Sequence, residues 1–398
     1  MSSSRQQYQD RFCERQARSQ QEDRLHHRVG NARLLAFAAL VVLLFFVLNQ
    51  SVHANWLLLP IAAFAFLVFW HSRLNARWER ARRALQFYRD GLDRLDHRWA
   101  GRGLKGNGYS NAEHPYLADL DIFGSGSLFE FVCRARPRPG QDCLAAWLTT
   151  GAPTSVIQER QQAVQELQDR LDLREDLAVL NFGRGTVTIP SLVAWGQKPA
   201  LLTSAGLRFL GGILGLCGLG AFVHWIVTWD PIPLAFVIVV QQLFLLALRK
   251  SLKTVLREVE PIAADCRSLT LFLQRLERES FRSPLLERLW QPLQGHPSEA
   301  LKKLEMILDF LEARRNLFVS PVVFVSLATL QWAYEIEGWR KKHGARIEGW
   351  MEALAQFEAL SSLASLAWEN PEYGWPSLEP GGFGLEADDL GHPLLDEQ

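Results

Sequence analysis

The side chains that could do chemistry in this chain are few and far apart. Glu113-His114, and Glu386, Asp388 and Asp389 with His392, have the residue types of metal ligands. Each grouping also reads, more simply, as surface acid beside a turn. Cys13, Cys133, Cys143, Cys217 and Cys266 form no C-x-x-C and stand at no zinc spacing with histidine. Free thiols in a reducing compartment account for them. A phosphate cradle needs backbone N–H groups at a helix N-terminus with a lysine beside them. The glycine-rich stretch Gly101–Gly108 holds Lys105, but no Ser or Thr follows that lysine, and it reads as a linker. No G-x-x-x-x-G-K-[ST], G-x-S-x-G, H-E-x-x-H or EF-hand loop occurs. The residues therefore offer no catalytic, cofactor or metal site, and no cofactor is expected in this chain.

The elements around them are more legible. Four apolar runs, Leu34–Leu48, Trp56–Trp70, Phe209–Trp229 and Ile232–Leu248, contain no Asp, Glu, Lys or Arg. A bilayer core about 30 Å thick calls for roughly 17–25 helical residues. The first two runs are short by that measure, but snorkelling of Arg33 and Arg73 and local thinning extend their reach. The runs come in close pairs and predict two transmembrane helical hairpins. Burial inside a soluble helical protein is the alternative for such runs.

Charge sets the orientation. Arg24, Arg28 and Arg33 precede the first hairpin, and Arg73, Arg77, Arg80, Arg82 and Arg83 follow it. Lys198 and Arg208 precede the second, and Arg249, Lys250, Lys253 and Arg257 follow it, while neither turn carries Lys or Arg. Positive flanks stay cytoplasmic. The expectation is a multi-pass protein of the cell membrane with its bulk on the cytoplasmic side. Leu317–Trp332 is apolar, but a fifth crossing there would strand Arg340, Lys341, Lys342 and Arg346 outside. It is expected to be a buried or membrane-touching core element.

With 43 basic and 43 acidic residues the net charge is zero, which argues against a globally basic nucleic-acid binder. The patch Arg73, Arg77, Arg80, Arg82 and Arg83 is the strongest local charge. It suits lipid headgroups, or less readily the phosphates of a nucleic acid. The fold class is mainly α. The expected units are 1–33, a polar segment; 34–70, the first hairpin; 71–110, a basic helix and linker; 111–208, a core region; 209–248, the second hairpin; 249–370, a helical region; and 371–398, an irregular tail rich in Pro and Gly. Ser127 is expected to cap a helix, Pro153-Thr154 to open another running past Leu177, Pro261 to kink a helix over Leu252–Leu276, and Gly344 to mark a break.

Several blocks carry a resemblance. His114-Pro115-Tyr116-Leu117-Ala118-Asp119-Leu120-Asp121-Ile122-Phe123-Gly124 resembles the opening of the core in a membrane-associated branch of the MutS family, the DNA mismatch-repair ATPases and their relatives. Gln158–Leu167 and Leu173–Leu177 resemble the helices that follow. Phe357-Glu358-Ala359-Leu360-Ser361-Ser362 resembles the last lever helix, and Gly391-His392-Pro393 the threshold of the ATPase domain. The resemblance implies a cytoplasmic core like the MutS lever and clamp, covering 111–208 and 249–370. It marks His114, Pro115, Asp119, Asp121, Phe123, Gly124, Glu358, Ala359, Ser362, Gly391, His392 and Pro393 as family positions.

It also implies ATP and magnesium for full-length relatives only, because no Walker motif occurs in this chain. The chain is then expected to be the non-catalytic core portion of a DNA-binding, ATP-dependent family. Its expected partners are the lipid bilayer, DNA weakly, and either a second copy or a separate ATPase subunit. A membrane scaffold that binds a protein partner is the rival reading, and the anchor subunit of a split ATPase is another.

Overall fold

The computed structural model describes residues 3–49, 53–111, 113–180, 189–314, 319–378, 384, 386–388 and 390–395. Fourteen α-helices and no strand occur among the described residues. Helix α1, Ser3–Leu48, and helix α2, Leu58–Leu95, form a long hairpin. Phe37 meets Phe64, Trp78 Nε1 donates to Asp23 and Tyr8 meets Tyr88, so the two run antiparallel throughout. The polar residues 3–33 lie in the same helix as the first apolar run. That helix is about 70 Å long at 1.5 Å per residue. Its sequence has no proline and only Gly30 to interrupt it.

Short helices follow: α3, Leu128–Val132; α4, Arg138–Thr149; α5, Thr154–Gln168; α6, Leu171–Ala178; and α7, Ile189–Gln197. The helix opened by Thr154 stops at Asp169, and Leu171 and Leu177 belong to a second, differently directed helix. Residues 181–188 lie outside the described residues, and Ile189 and Pro190 begin α7.

Helix α8, Ala205–Thr228, and helix α9, Ile232–Leu276, form the second hairpin. Ser204 Oγ caps α8 by accepting from Leu207 N–H at 3.3 Å, and Trp229 ends it in the left-handed region at φ 59°. Asp230 Oδ1 accepts from Ile232 N–H at 3.1 Å and starts the return. The helix expected over Leu252–Leu276 is the continuation of α9, and Pro261 lies inside it.

The remaining helices are α10, Pro284–Trp290; α11, Pro297–Ala313; α12, Ser320–Val325; α13, Ala328–His343; and α14, Ile347–Glu369, with Gly344 at the break before α14. The main core packs α14 against α5, α7, α9 and α10, and α11 against α9 and α13.

Among the described residues three helices are long and apolar enough to cross a membrane: α1, α8 and α9. Of their most apolar windows only 0%, 22% and 6% is buried within the chain. A soluble helical core would bury them, so that alternative does not describe these windows. The start of α2 likewise leaves Leu59, Phe66 and Phe69 exposed.

The apolar stretch before Trp332 is a broken helix, α12 and α13, seated against α8. Leu327, at φ 51°, makes the break. A Cβ on Gly215 would stand 2.2 Å from Ser326 O, and one on Gly218 2.0 Å from Val325 O. Glycine there is the condition for backbone to lie on backbone, as small residues allow between membrane helices. Gln241 of α9 is fully buried, and its Nε2 donates to Leu214 O and Val325 O, both at 2.8 Å. That amide meets a carbonyl at the helix break, which apolar surroundings require.

Two outcomes follow. Reporters fused at Gln50 and Asp230 are expected outside and at Gln398 inside, and an outside signal at Gln398 would break the paired topology. Gly218→Ala is expected to cost about 1–3 kcal/mol through overpacking, read by thermal unfolding in detergent. Gly220→Ala, with nothing within 4 Å of its Cβ, serves as the near-neutral control.

Candidate functional site

A second, smaller core lies where residues 113–127, α3, α4 and α14 meet. Phe129 is fully buried, and Tyr109 and Phe123 pack their rings on it at 5.5 and 5.4 Å. Ser127 caps α3, its Oγ accepting from Glu130 N–H at 3.2 Å. The Glu130 carboxylate accepts from Gly103 N–H and Gly126 N–H, each at 2.7 Å. The expected linker Gly101–Asn111 is therefore fastened to this core rather than spanning between units. Gly124 N–H donates to Lys105 O at 2.8 Å with φ at 122°.

His114 is a strap rather than a ligand. Its Nε2–H donates to Thr149 O at 3.0 Å, and the Tyr116 hydroxyl donates to the same carbonyl at 3.0 Å. Together they tie the loop to the end of α4. Pro115, Asp119 and Asp121 are exposed.

Across this core stands α14. Ser362 Oγ accepts from Arg134 N–H at 3.0 Å and donates to Glu358 O at 2.9 Å. Ala359 is fully buried in the cluster, and Leu394, next to Gly391-His392-Pro393, packs on it. Glu358 is buried; Oε2 accepts from Arg136 N–H at 3.3 Å and Oε1 has no partner among the described residues. Burial pushes its carboxyl up to about 8, against the smaller opposing pull of the Arg136 N–H and guanidinium. Burial likewise pushes Cys133 and Cys143 up to about 12, so neither offers a thiolate. Among the described residues no three His, Cys, Asp or Glu side chains are grouped to hold a metal.

The structure thus brings Phe123, Ala359 and Leu394 into one core, with Glu358 and Ser362 at its edge and His114 strapping its loop. It does not bring the arginine patch there. Arg73, Arg77 and Arg80 are exposed on α2. Arg73 lies over Phe69 at 4.5 Å, Arg82 over Trp78 at 5.6 Å, and Arg83 pairs with Glu79 at 2.6 Å.

Two buried charge clusters escaped sequence reasoning. Glu369, at the C-terminus of α14, is gripped by Arg94: Nε–H donates to Oε2 at 2.8 Å and Nη2–H to Oε1. Tyr8 OH donates to Oε1 at 3.0 Å, and Arg134 stands 3.5 Å from Oε2. Burial opposes ionisation of Glu369, but Arg94 chiefly, with Arg134 and the Tyr8 hydroxyl, outweighs it and holds the carboxyl below its usual range. Beside it, Glu175 accepts two bonds from Arg15, at 2.6 and 3.0 Å, and one from Tyr88 OH at 2.5 Å. The only sequence signal was polar residues inside helical apolar stripes. A cavity of about 760 Å³ also opens between α4, α5 and α14, walled by Trp147, Leu363, Trp368 and Trp375. Arg160 at its rim lies 3.9 Å over the Trp147 ring.

No family model, no curated protein and no solved structure matches the chain.

The Glu358 carboxyl gives a signed expectation. Its folded pKa of about 8 exceeds the ordinary 4.5. The folded chain therefore holds a proton that the unfolded chain releases. This contribution is fully present below about pH 4.5 and is lost as pH rises through about 8. Wild type is expected to lose a few kcal/mol across that window relative to Glu358→Gln, so the variant should melt higher than wild type at pH 9. Parallel melting curves across the window would show that Glu358 does not carry the proton.

Proposed function

We propose that this chain is a membrane-anchored, MutS-like protein that supplies the anchor, the lever and DNA-facing helices without a phosphate loop of its own. It would sit in the cell membrane on two helical hairpins, with its bulk in the cytoplasm. The observation that carries the reading is the meeting of three distant motif segments in one small core: Phe123 of the His114–Gly124 block, Ala359 of the Phe357–Ser362 block, and Leu394 beside Gly391-His392-Pro393. Helix α14, which carries the lever-like block, is joined to the first hairpin through Glu369, and this supports a lever bound to its anchor. The exposed Arg73, Arg77 and Arg80 supply cations for phosphates or headgroups.

The second reading is a membrane scaffold or the anchor subunit of a split ATPase. It is favoured by the aromatic cavity beside α14, which has the size and lining of a binding site. In that case a separate chain would bring ATP and magnesium.

Purified chain in detergent is expected neither to bind nor to hydrolyse ATP, since phosphoryl transfer depends on a positioned phosphate site. Duplex DNA is expected to bind weakly, losing about 0.9 log unit of affinity per log unit of salt for each phosphate neutralised. Matched and mismatched duplexes should bind alike. Replacing Arg73, Arg77 and Arg80 by Gln should flatten the salt slope. A clear mismatch preference or saturable ATP binding would sink this reading, and no DNA binding at any salt would turn the choice to the scaffold.

A further inference from the structure

Helix α9 runs from its apolar stretch, Ile232–Leu248, straight into Arg249, Lys253 and Arg257. Residues four apart share a helix face, so these cations form one ladder, about 12 Å tall at 1.5 Å per residue. Arg314, at the C-terminus of α11, brings a fourth cation to the same cavity of about 520 Å³. Among the described residues no ion pair engages these four. The neighbouring face of α9 differs: there Glu258 is taken by Lys198 at 2.8 Å and Arg340 at 3.4 Å. Among the described residues the one carboxylate in the cavity wall, Glu260, lies at the end away from the apolar run.

The wall on the other side is apolar. Leu245 and Leu246 line the cavity toward the apolar run, and Leu252 lies among the cations. That wall continues into the outer surface of α9, where Leu243 and Leu246 are 63% and 60% exposed. Excess positive charge above an exposed apolar wall, at the end of a candidate membrane span, matches a molecule that is anionic at one end and hydrocarbon at the other. A free phosphate would use only the cations, and the apolar wall would remain bare.

We propose that this cavity binds an anionic membrane phospholipid, its headgroup phosphate held by Arg249, Lys253, Arg257 and Arg314 and its acyl chains lying along Leu245 and Leu246. The proposal rests on the reading of α9 as a membrane span. Four cations against one carboxylate favour a headgroup with two phosphates over one with a single charge. Each basic side chain at a bilayer surface favours acidic lipid, so removing several is expected to lower affinity at least about tenfold.

Full chain in detergent, loaded with an equimolar mixture of phosphatidylcholine, phosphatidylglycerol and cardiolipin, is read by native mass spectrometry for retained lipid. The expected order is cardiolipin above phosphatidylglycerol above phosphatidylcholine. Joint Arg249→Gln, Lys253→Gln and Arg257→Gln substitution should abolish the enrichment about tenfold or more. The matching Lys substitutions at Arg249 and Arg257 should keep most of it. Joint Arg73→Gln, Arg77→Gln and Arg80→Gln, on the other hairpin, should leave it unchanged. Equal retention of all three lipids by wild type, or equal loss in both triple variants, would overturn the site. Displacement of the lipid by millimolar inorganic phosphate would overturn the lipid assignment in favour of a soluble anion. Failure of the membrane reading itself shows separately, as wild-type chain that stays soluble without detergent or lipid.

Discussion

The buried carboxylate of Glu369 is the point on which the arrangement turns. It ends α14, where the helix dipole is negative and a carboxylate is disfavoured. It is also withdrawn from water, which costs several kcal/mol for any unpaired charge. Only opposite charge and hydrogen bonds can offset both. They come from three separate parts of the chain: Tyr8 of α1, Arg94 of α2 and Arg134 between α3 and α4. Arg134 bears part of this cost, since burial and then the nearby Arg94 pull its guanidinium down to about 10. The cluster is one of two buried junctions between the first hairpin and the core, the other being Glu175 with Arg15 and Tyr88.

The second hairpin is held by different physics. Its contact with the end of α12 is backbone on backbone, made available by Gly215 and Gly218 and bonded by Gln241, while Gln331 Nε2 of α13 donates to Arg208 O at 3.1 Å and Glu335 pairs with Arg208. Lipid offers no hydrophobic drive between helices, so close packing and hydrogen bonds must supply the attraction. Protein-solvated charge serves the first junction and close-packed backbone the second. Helix α14 anchors the first through Glu369. It reaches the second through α13, where Trp339 and Trp350 pack in the main core.

Much of this was legible in the residues. The apolar runs, the helical class, the cap at Ser127 and the break at Gly344 each rest on local signals, and local signals survive folding. Helix lengths were not legible, because an apolar run and an amphipathic stretch look like two elements when no glycine or proline marks the join. The stop at Asp169 was missed for the converse reason: leucines on either side kept the helical spacing. The glycine stripe of α8 could have been read, since Gly211, Gly215 and Gly218 recur at one-turn spacing, but its partner could not. The clamps on Glu369 and Glu175 were beyond reach. Nothing local distinguishes Arg94 from the exposed arginines that precede it, and its role comes from a residue 275 positions away.

That separation bears on how the structure forms. The two hairpins close through short turns and need only a few residues of chain to meet. The Glu369 cluster joins residues up to 361 positions apart, so its loop-closure entropy must be met before any of its bonds can form. In the folded chain Glu369 stands between Arg94 and Arg134, two like charges that oppose one another. Glu369 offsets that repulsion, and together with Glu175 of α6, held by Arg15 and Tyr88, it joins the first hairpin to the core.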